Sequence, residues 1–376
     1  ILLAHGSVDP QSPAGISFRP ARPLPVGSHP TVVSVADVNR DGKKDIIVAN
    51  SGSAKISVCL GDGKGSFTQG KGSPFPAGEN PNDIAVGDFN GDGNPDLALP
   101  NHGVKSVTVL LGDGKGGFSF APGSPFSVPS IPHPHGIAAD DFNGDGKLDL
   151  AVDSWGENKV LVLFGRGDGT FSTPGTKFDV GKMPYQRLRT ADLNADGYPD
   201  IITSNFEGSS VSVLLGDGKG TFSLSGGGNI PVPECPFGVA VGDFNGDHHP
   251  DIAVCHYSGQ GTDPGKNGLS ILLGDGKGLF KLAKGSPFPT GHYPPMVAAG
   301  DLNGDGITDI AVPNYRENTV TIYLGGRDGI RQAKGSPIST GHAPECVAIA
   351  DLDGDGKPDL VVPDEEDNDV MILLRK

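Results

Sequence analysis

The stretch Asp88-Phe89-Asn90-Gly91-Asp92-Gly93-Asn94-Pro95-Asp96 decides how this chain folds, because its pattern is written seven times. Asp-x-(Asn/Asp)-x-Asp-x-x-x-Asp starts at Asp37, Asp88, Asp141, Asp192, Asp243, Asp301 and Asp351, at intervals of 51, 53, 51, 51, 58 and 50 residues. Self-similarity at that period marks an array of equal supersecondary units rather than independent domains. Around the quoted copy lie short apolar runs at 83–87 and 97–99 and a β-branched alternating run at 106–111. The turn 112–116 and a last run at 117–121 complete the unit. Period-two runs joined by Gly-rich turns read as four antiparallel strands. Seven such units predict an all-β chain, a seven-bladed β-propeller of four-stranded antiparallel blades.

Closure is legible as well. The seventh unit ends on its third strand at 370–374, with no fourth run after it. Residues 16–24 followed by 25–30 parallel 66–68 followed by 76–81, so the N-terminal segment is expected to supply the outer strand of the last blade. One propeller domain is expected over 16–376, with 1–15 a loose tail.

Composition agrees with many short strands: the 376 residues are 36% hydrophobic, with 59 Gly and 33 Pro. No apolar run reaches the length of a membrane-spanning helix, so membrane insertion is not expected. The apolar run at 1–4 is too short for a signal peptide. The formal net charge is −16, but 22 of the 45 acidic residues sit in the seven repeats. Divalent ions in all seven would offset most of it. With no basic stripe, nucleic acid is not an expected partner. Four cysteines are too few for a disulfide scaffold, although Cys235 and Cys255 fall at the open ends of one expected hairpin, where a bridge is an open alternative.

Each nine-residue loop joins the first and second strands of its unit and offers oxygen donors at positions one, three, five and nine, with a backbone carbonyl at seven. The sets are Asp37, Asn39, Asp41, Lys43 and Asp45; Asp88, Asn90, Asp92, Asn94 and Asp96; and Asp141, Asn143, Asp145, Lys147 and Asp149. They continue with Asp192, Asn194, Asp196, Tyr198 and Asp200; and Asp243, Asn245, Asp247, His249 and Asp251. Asp301, Asn303, Asp305, Ile307 and Asp309, then Asp351, Asp353, Asp355, Lys357 and Asp359, complete the series. Position seven shows no common side chain, as a backbone ligand would allow. All-oxygen ligation by three or four carboxylates suits Ca²⁺, up to one ion per blade. His248 replaces the usual residue at position six of the fifth loop, so a distorted or weaker site is expected there. Such sites stay filled where Ca²⁺ is near millimolar, so a secreted, cell-surface or periplasmic location is expected.

Asp-Phe-Asn-Gly-Asp-Gly-x-x-Asp in the second and third units, with the Leu-Gly-Asp-Gly-Lys-Gly-x-Phe turn that follows in the second, resembles the FG-GAP/VCBS repeats of integrin α-subunit propellers and many secreted bacterial proteins. The likeness covers 16–374 and implies a Ca²⁺-stabilised propeller. It is less specific about activity, since such repeats occur in adhesion modules, lectins and polysaccharide lyases. Gly-Asp-Gly-Lys-Gly itself is a hairpin turn rather than a phosphate loop, because no helix follows it. Arg166-Gly167-Asp168 occupies the same turn and reads as a chance tripeptide.

Departures from the repeat gather on the rim opposite these loops. One loop position carries Ser51, His102, Trp155, Phe206, Tyr257, Tyr315 and Glu365, so five consecutive blades place a ring where a turn favours Gly, Ser or Asn. Seven of the ten histidines fall on this rim: His29, His102, His133, His135, His256, His292 and His342. The enrichment fits general-base chemistry, a transition-metal site or loop capping. The fourth unit departs furthest: Tyr185 stands where six units have Pro, and Arg187 and Arg189 alternate on its innermost strand, facing the central channel. Asp83 and Glu345 are candidate partners for these arginines, the alternative being an anionic ligand at the channel mouth. The insertion at 258–268 is Gly-rich and reads as a flexible lid.

Two functions follow as expectations. The favoured one is a monomeric, non-catalytic module that binds carbohydrate or protein through His102, Trp155, Phe206, Tyr257, Tyr315, His292 and His342. The alternative is a polysaccharide lyase acting on uronates, with Tyr185, His133, His135 or Tyr293 as base and Arg187 or Arg189 neutralising the carboxylate.

Overall fold

A computed structural model describes residues 15–19, 22–185, 187–257 and 267–376. Of the expected N-terminal tail (1–15) and lid (258–268), residues 1–14 and 258–266 lie outside the described residues. Seven antiparallel sheets follow one another along the chain, each with four strands in spatial succession, and the chain is the seven-bladed propeller that its repeat predicts. Blade 1 runs Pro30–Ala36, Asp45–Asn50, Lys55–Gly61 and Phe67–Gln69; blade 4 runs Arg189–Ala191, Asp200–Asn205, Ser210–Gly216 and Phe222–Leu224. The outermost strand is short. In blades 1, 2, 4 and 6 a further two-residue piece, such as Phe75–Pro76, rejoins the third strand beyond it.

Blade 7 contributes Ala348–Ala350, Asp359–Asp364 and Asp369–Leu373, and Arg22–Pro25 completes it, pairing antiparallel from Arg22 opposite Ile372 to Pro25 opposite Asp369. Phe18 bridges Arg375 further out. The N-terminal segment thus closes the ring as the sequence suggested. Its regular strand is confined to four residues because prolines interrupt the rest of 16–24.

The second strand of every blade is buried along its whole length, since neighbouring blades cover both of its faces. Its last residue is a latch in four blades: Asn50, Asn101, Asn205 and Asn314 donate side-chain N–H to a hydroxyl seven residues on, at Ser57, Thr108, Ser212 and Thr321. Position two of each nine-residue loop is the other fixed point. Val38, Phe89, Phe142, Leu193, Phe244, Leu302 and Leu352 are all 2% exposed or less, plugging the seams between blades. Burial of such a side chain is worth about 1.5–3 kcal/mol. Phe142 of blade 3, for example, meets Phe222 of blade 4 edge-on at 5.5 Å.

The innermost strands line a central cavity of about 610 Å³, walled by Val33, Val35, Ala240, Val297 and Val347 among others. Because strands alternate in direction, the nine-residue loops and the second-to-third-strand hairpins emerge at opposite rims.

Candidate functional site

The loop rim is built from local hydrogen bonds. In the first loop Asp37 accepts the N–H of Asp41 on one oxygen and of Gly42 on the other, at 3.1 and 2.8 Å, and Asp41 accepts the N–H of Lys43 at 3.0 Å. Asp45 is fully buried and accepts the N–H groups of Val38 and Gly61, both at 2.9 Å. The ninth position therefore ties the loop to the end of the third strand as well as offering an oxygen donor. Burial and the neighbouring carboxylates raise Asp96, Asp149, Asp200, Asp251 and Asp359 to about 6, and Asp309 to about 7, against their backbone hydrogen bonds. Such crowded, desolvated carboxylates favour a cation.

Carboxylate oxygens of Asp351, Asp353 and Asp359 lie within 4.8 Å of one another, close enough for one ion. The extra charge of Asp353 is met by Arg19 at 3.0 Å. In the fifth loop His248 takes a positive φ of 68° and donates its N–H to Asp243 at 2.9 Å, as glycine does elsewhere. The backbone path is kept, and the expected distortion is limited to a left-handed non-glycine residue, a cost of about 1–2 kcal/mol.

On the opposite rim the rings do not stand apart in solvent. They are half-buried or, at His135 and Phe237, buried, and they pack in tilted and edge-to-face contacts into one arc that crosses the blades. His102 of blade 2 lies 4.2 Å from His133 and 4.6 Å from His135, which precede blade 3. His135 meets Trp155 at 5.5 Å and Tyr185 at 4.3 Å. Tyr185 continues to Phe206 and Phe237, Phe237 to Tyr257 and Tyr293, and Tyr293 to Tyr315 at 5.2 Å. Tyr315 donates its hydroxyl to Glu365 at 2.8 Å, and Glu365 faces His29. Burial and these carboxylates hold Tyr293 and Tyr315 above the ordinary tyrosine value.

Of the residues singled out from sequence, His102, Trp155, Phe206, Tyr257 and Tyr315 join this arc together with His133, His135, Tyr185 and Tyr293. His292 and His342 do not; they make ion pairs with Glu317 and Asp367 at 3.7 and 2.9 Å. Phe237 and Asp153 were missed. Phe237 occupies the same repeat position as His135 and Glu345, so comparing that column between units would have exposed it. Asp153 replaces the Ala, Pro, Ser or Cys of other units near the end of the second strand.

The arginines lie deeper. Arg187 is 8% exposed and reaches across the channel, its Nε 3.5 Å from Asp83 of blade 2 and its Nη2 donating to Cys346 Sγ of blade 7 at 2.7 Å. Burial opposes its charge, but the Cys346 sulfur and Asp83 prevail and hold it above the ordinary value. Gly136 permits the close approach: a Cβ there would lie 2.9 Å from the Leu188 nitrogen and 3.0 Å from the Arg187 Cα. Arg189 lines the cavity one step further in and is lowered to about 10 by burial and by Arg187. Glu345 is raised to about 8 by burial and Glu365, against the pull of Arg187. Tyr185 and the histidines thus share the mouth, while the arginines sit below it, one of them already paired. The bridge left open between Cys235 and Cys255 is not formed: Cys255 keeps a buried thiol whose sulfur accepts the Gly238 N–H at 3.1 Å.

Comparison with known proteins places this architecture. Human integrin alpha-IIb is 27% identical over 194 residues, 50% of this chain but 15% of the integrin's own length. Three solved structures share the fold at lower identity. BBS1N, solved in complex with ARL6DN, superposes with a TM-score of 0.59 at 12% identity, covering 95% of this chain and 96% of that one. A catalytically inactive virginiamycin B lyase from Staphylococcus aureus, with quinupristin, gives 0.60 at 15% over 95% and 99%. An Agrocybe aegerita lectin described by its recognition of non-reducing terminal N-acetylglucosamine gives 0.50 at 20% over 81% and 80%. The FG-GAP-like repeat model matches residues 37–99, 101–152, 192–254, 261–312 and 301–362, well over half of the sequence, and the chain belongs to that family.

Proposed function

We propose that this propeller is an extracellular, calcium-loaded binding module whose carbohydrate or protein ligand docks on the aromatic arc. The observation that carries the reading is the continuity of that arc from His102 to Tyr315, which gives one ring-lined surface across five blades. Rings of this kind offer large contact area at small entropic cost, with polar edges for orientation. Glu345 and Glu365 close the arc at blade 7, so the ligand surface that fits is apolar with a donor or basic group at that end. Sequence relatedness to an integrin α-subunit supports a binding role.

Calcium would be held by the side-chain oxygens at positions one, three, five and nine of each loop. The fit rests on the donor chemistry: every side chain offered is a carboxylate or amide, and the ninth is buried beside the others. The ion would supply positive charge that pins the loop.

Trp155 is the only tryptophan and belongs to the arc, so its emission reports on ligand directly. Probing a glycan array and a panel of extracellular matrix proteins should identify a ligand that shifts Trp155 fluorescence. Trp155→Ala or Tyr315→Ala should weaken its binding at least about tenfold, roughly 1.4 kcal/mol. Unchanged affinity in both variants would sink the arc as the binding surface. Appearance of unsaturated product absorbance from a uronate polysaccharide, abolished by Tyr185→Phe, would replace binding by lyase chemistry.

A further inference from the structure

We infer that His102, His133 and His135 form a zinc site at the blade 2 to blade 3 end of the rim, with Asp153 holding one ligand from behind. One ring nitrogen from each histidine lies within 4.8 Å of the other two. With metal–nitrogen bonds of about 2.0–2.1 Å, three imidazoles on one ion place their ring centres about 4.5–5.3 Å apart. The centres here are 4.2, 4.6 and 5.0 Å apart, so closure on an ion needs only a small outward shift of His102 from His133.

The surroundings prepare these rings as ligands. His135 is 1% exposed, its Nδ1 faces Asp153 Oδ2 at 3.3 Å, and its Nε2 is buried without any hydrogen-bond partner. Donation from Nδ1–H to the carboxylate leaves the lone pair on Nε2, the arrangement in which a carboxylate behind a histidine fixes its tautomer for metal. Asp153 is itself fixed, because its other oxygen accepts the backbone N–H groups of His135 and Gly136 at 2.7 and 2.8 Å. The Asn80 side-chain nitrogen lies 2.9 Å from His102 Nδ1; rotating the amide by half a turn puts its oxygen there instead, which makes Nδ1–H the donor and leaves Nε2 to coordinate.

His133 and His135 alternate along extended backbone, which brings both to one side. An orphaned, buried imidazole nitrogen is costly unless something binds it. Three imidazoles with one open position suit a borderline ion such as Zn²⁺ rather than Ca²⁺, which prefers oxygen. The site lies apart from the oxygen-lined loops on the far rim and occupies the His102 end of the arc proposed above to take the ligand.

The test uses the full chain, stripped with EDTA, returned to millimolar CaCl₂ so that the loops are refilled, and titrated with Co²⁺ alone. One equivalent should give the visible bands of a tetrahedral complex and quench Trp155, whose ring centre lies 5.5 Å from His135. Zn²⁺ should displace it and restore the emission. His133→Ala and His102→Ala, both at half-buried positions, should weaken binding by about 100-fold or more, and Asp153→Asn by about 10–100-fold. His342→Ala, at an exposed histidine elsewhere on the rim, should leave it unchanged. Absence of the bands in the unaltered chain, or titration of both histidine variants like the unaltered chain, would overturn the site.

Discussion

The two rims of this propeller are made from the same strands and obey opposite rules. On the loop rim each nine-residue segment is shaped mainly from within: Asp37 and Asp41 accept N–H groups of their own loop, Asp45 reaches Gly61 of the same blade, and Arg40 adds a side-chain bond to Asn94 of the next blade. A unit that solves its hydrogen bonding locally can be copied seven times without change. On the opposite rim the arc and the channel are tied together by contacts between blades, as in His102 with His133, Tyr185 with Phe237, and Arg187 with both Asp83 and Cys346. No two blades can make the same contribution to an arc, so this rim is irregular by necessity. Repetition therefore marks scaffold in this molecule, and its breaks mark candidate chemistry.

The largest effect should come from breaking the regular rim as a whole. Removing calcium with EGTA should lower the melting temperature by about 10–20 °C, since each site filled at 100 times its dissociation constant contributes about 2.7 kcal/mol by linkage. Calorimetry with and without excess Ca²⁺ checks this, and an unchanged melting temperature would remove the metal from the loops. Arg187→Met probes the irregular side. It leaves Asp83 buried without its cation, so urea unfolding should show a loss of about 3–5 kcal/mol, partly recovered by adding Asp83→Asn. A loss below about 1 kcal/mol would mean that the cross-channel contact is incidental.

The smallest effect makes an irregular blade regular. Asp364 stands where four blades have the latch asparagine, and its fifth-residue neighbour is Asp369 instead of a lysine or hydroxyl. The Asp364 carboxyl is buried, and burial with Asp369 and Asp367 nearby raises it to about 8 from an ordinary 3.8, against the pull of the Gly341 N–H. A raised folded value means that the folded state holds a proton the unfolded chain has released. Stability should therefore fall as pH rises from about 4 to about 8. Asp364→Asn removes that slope: little change at pH 4–5, and a gain of about 1–3 kcal/mol above pH 8. Equal stability differences at both ends of that range would contradict the assignment.

Much of this was legible before any coordinates. Blade count, strand order, closure by the N-terminal segment and the oxygen-bearing positions follow from spacing, because each depends on residues close in sequence. Expecting the rim rings was also sound, since five aromatic or imidazole side chains at one turn position are not what a turn requires. Their packing was not legible. Asp153 carried no local signal beyond an unusual residue in a buried strand, and its role exists only because His135 folds back over it. The pairing of Arg187 was half visible, as Asp83 shares its repeat position, but Cys346 as second partner was not.

The sequence by itself determined the propeller, its seven loops and the rim on which to look for function, since a periodic pattern of short-range bonds is written directly in residue order. Only the tertiary structure decided that the rings form one arc, that three histidines meet and that Arg187 is spent across the channel. Those contacts join residues some 30 to 160 positions apart, such as His102 with His133 and Arg187 with Cys346. Their geometry is set by how the blades curve around the axis, a property of the closed ring that no single repeat contains.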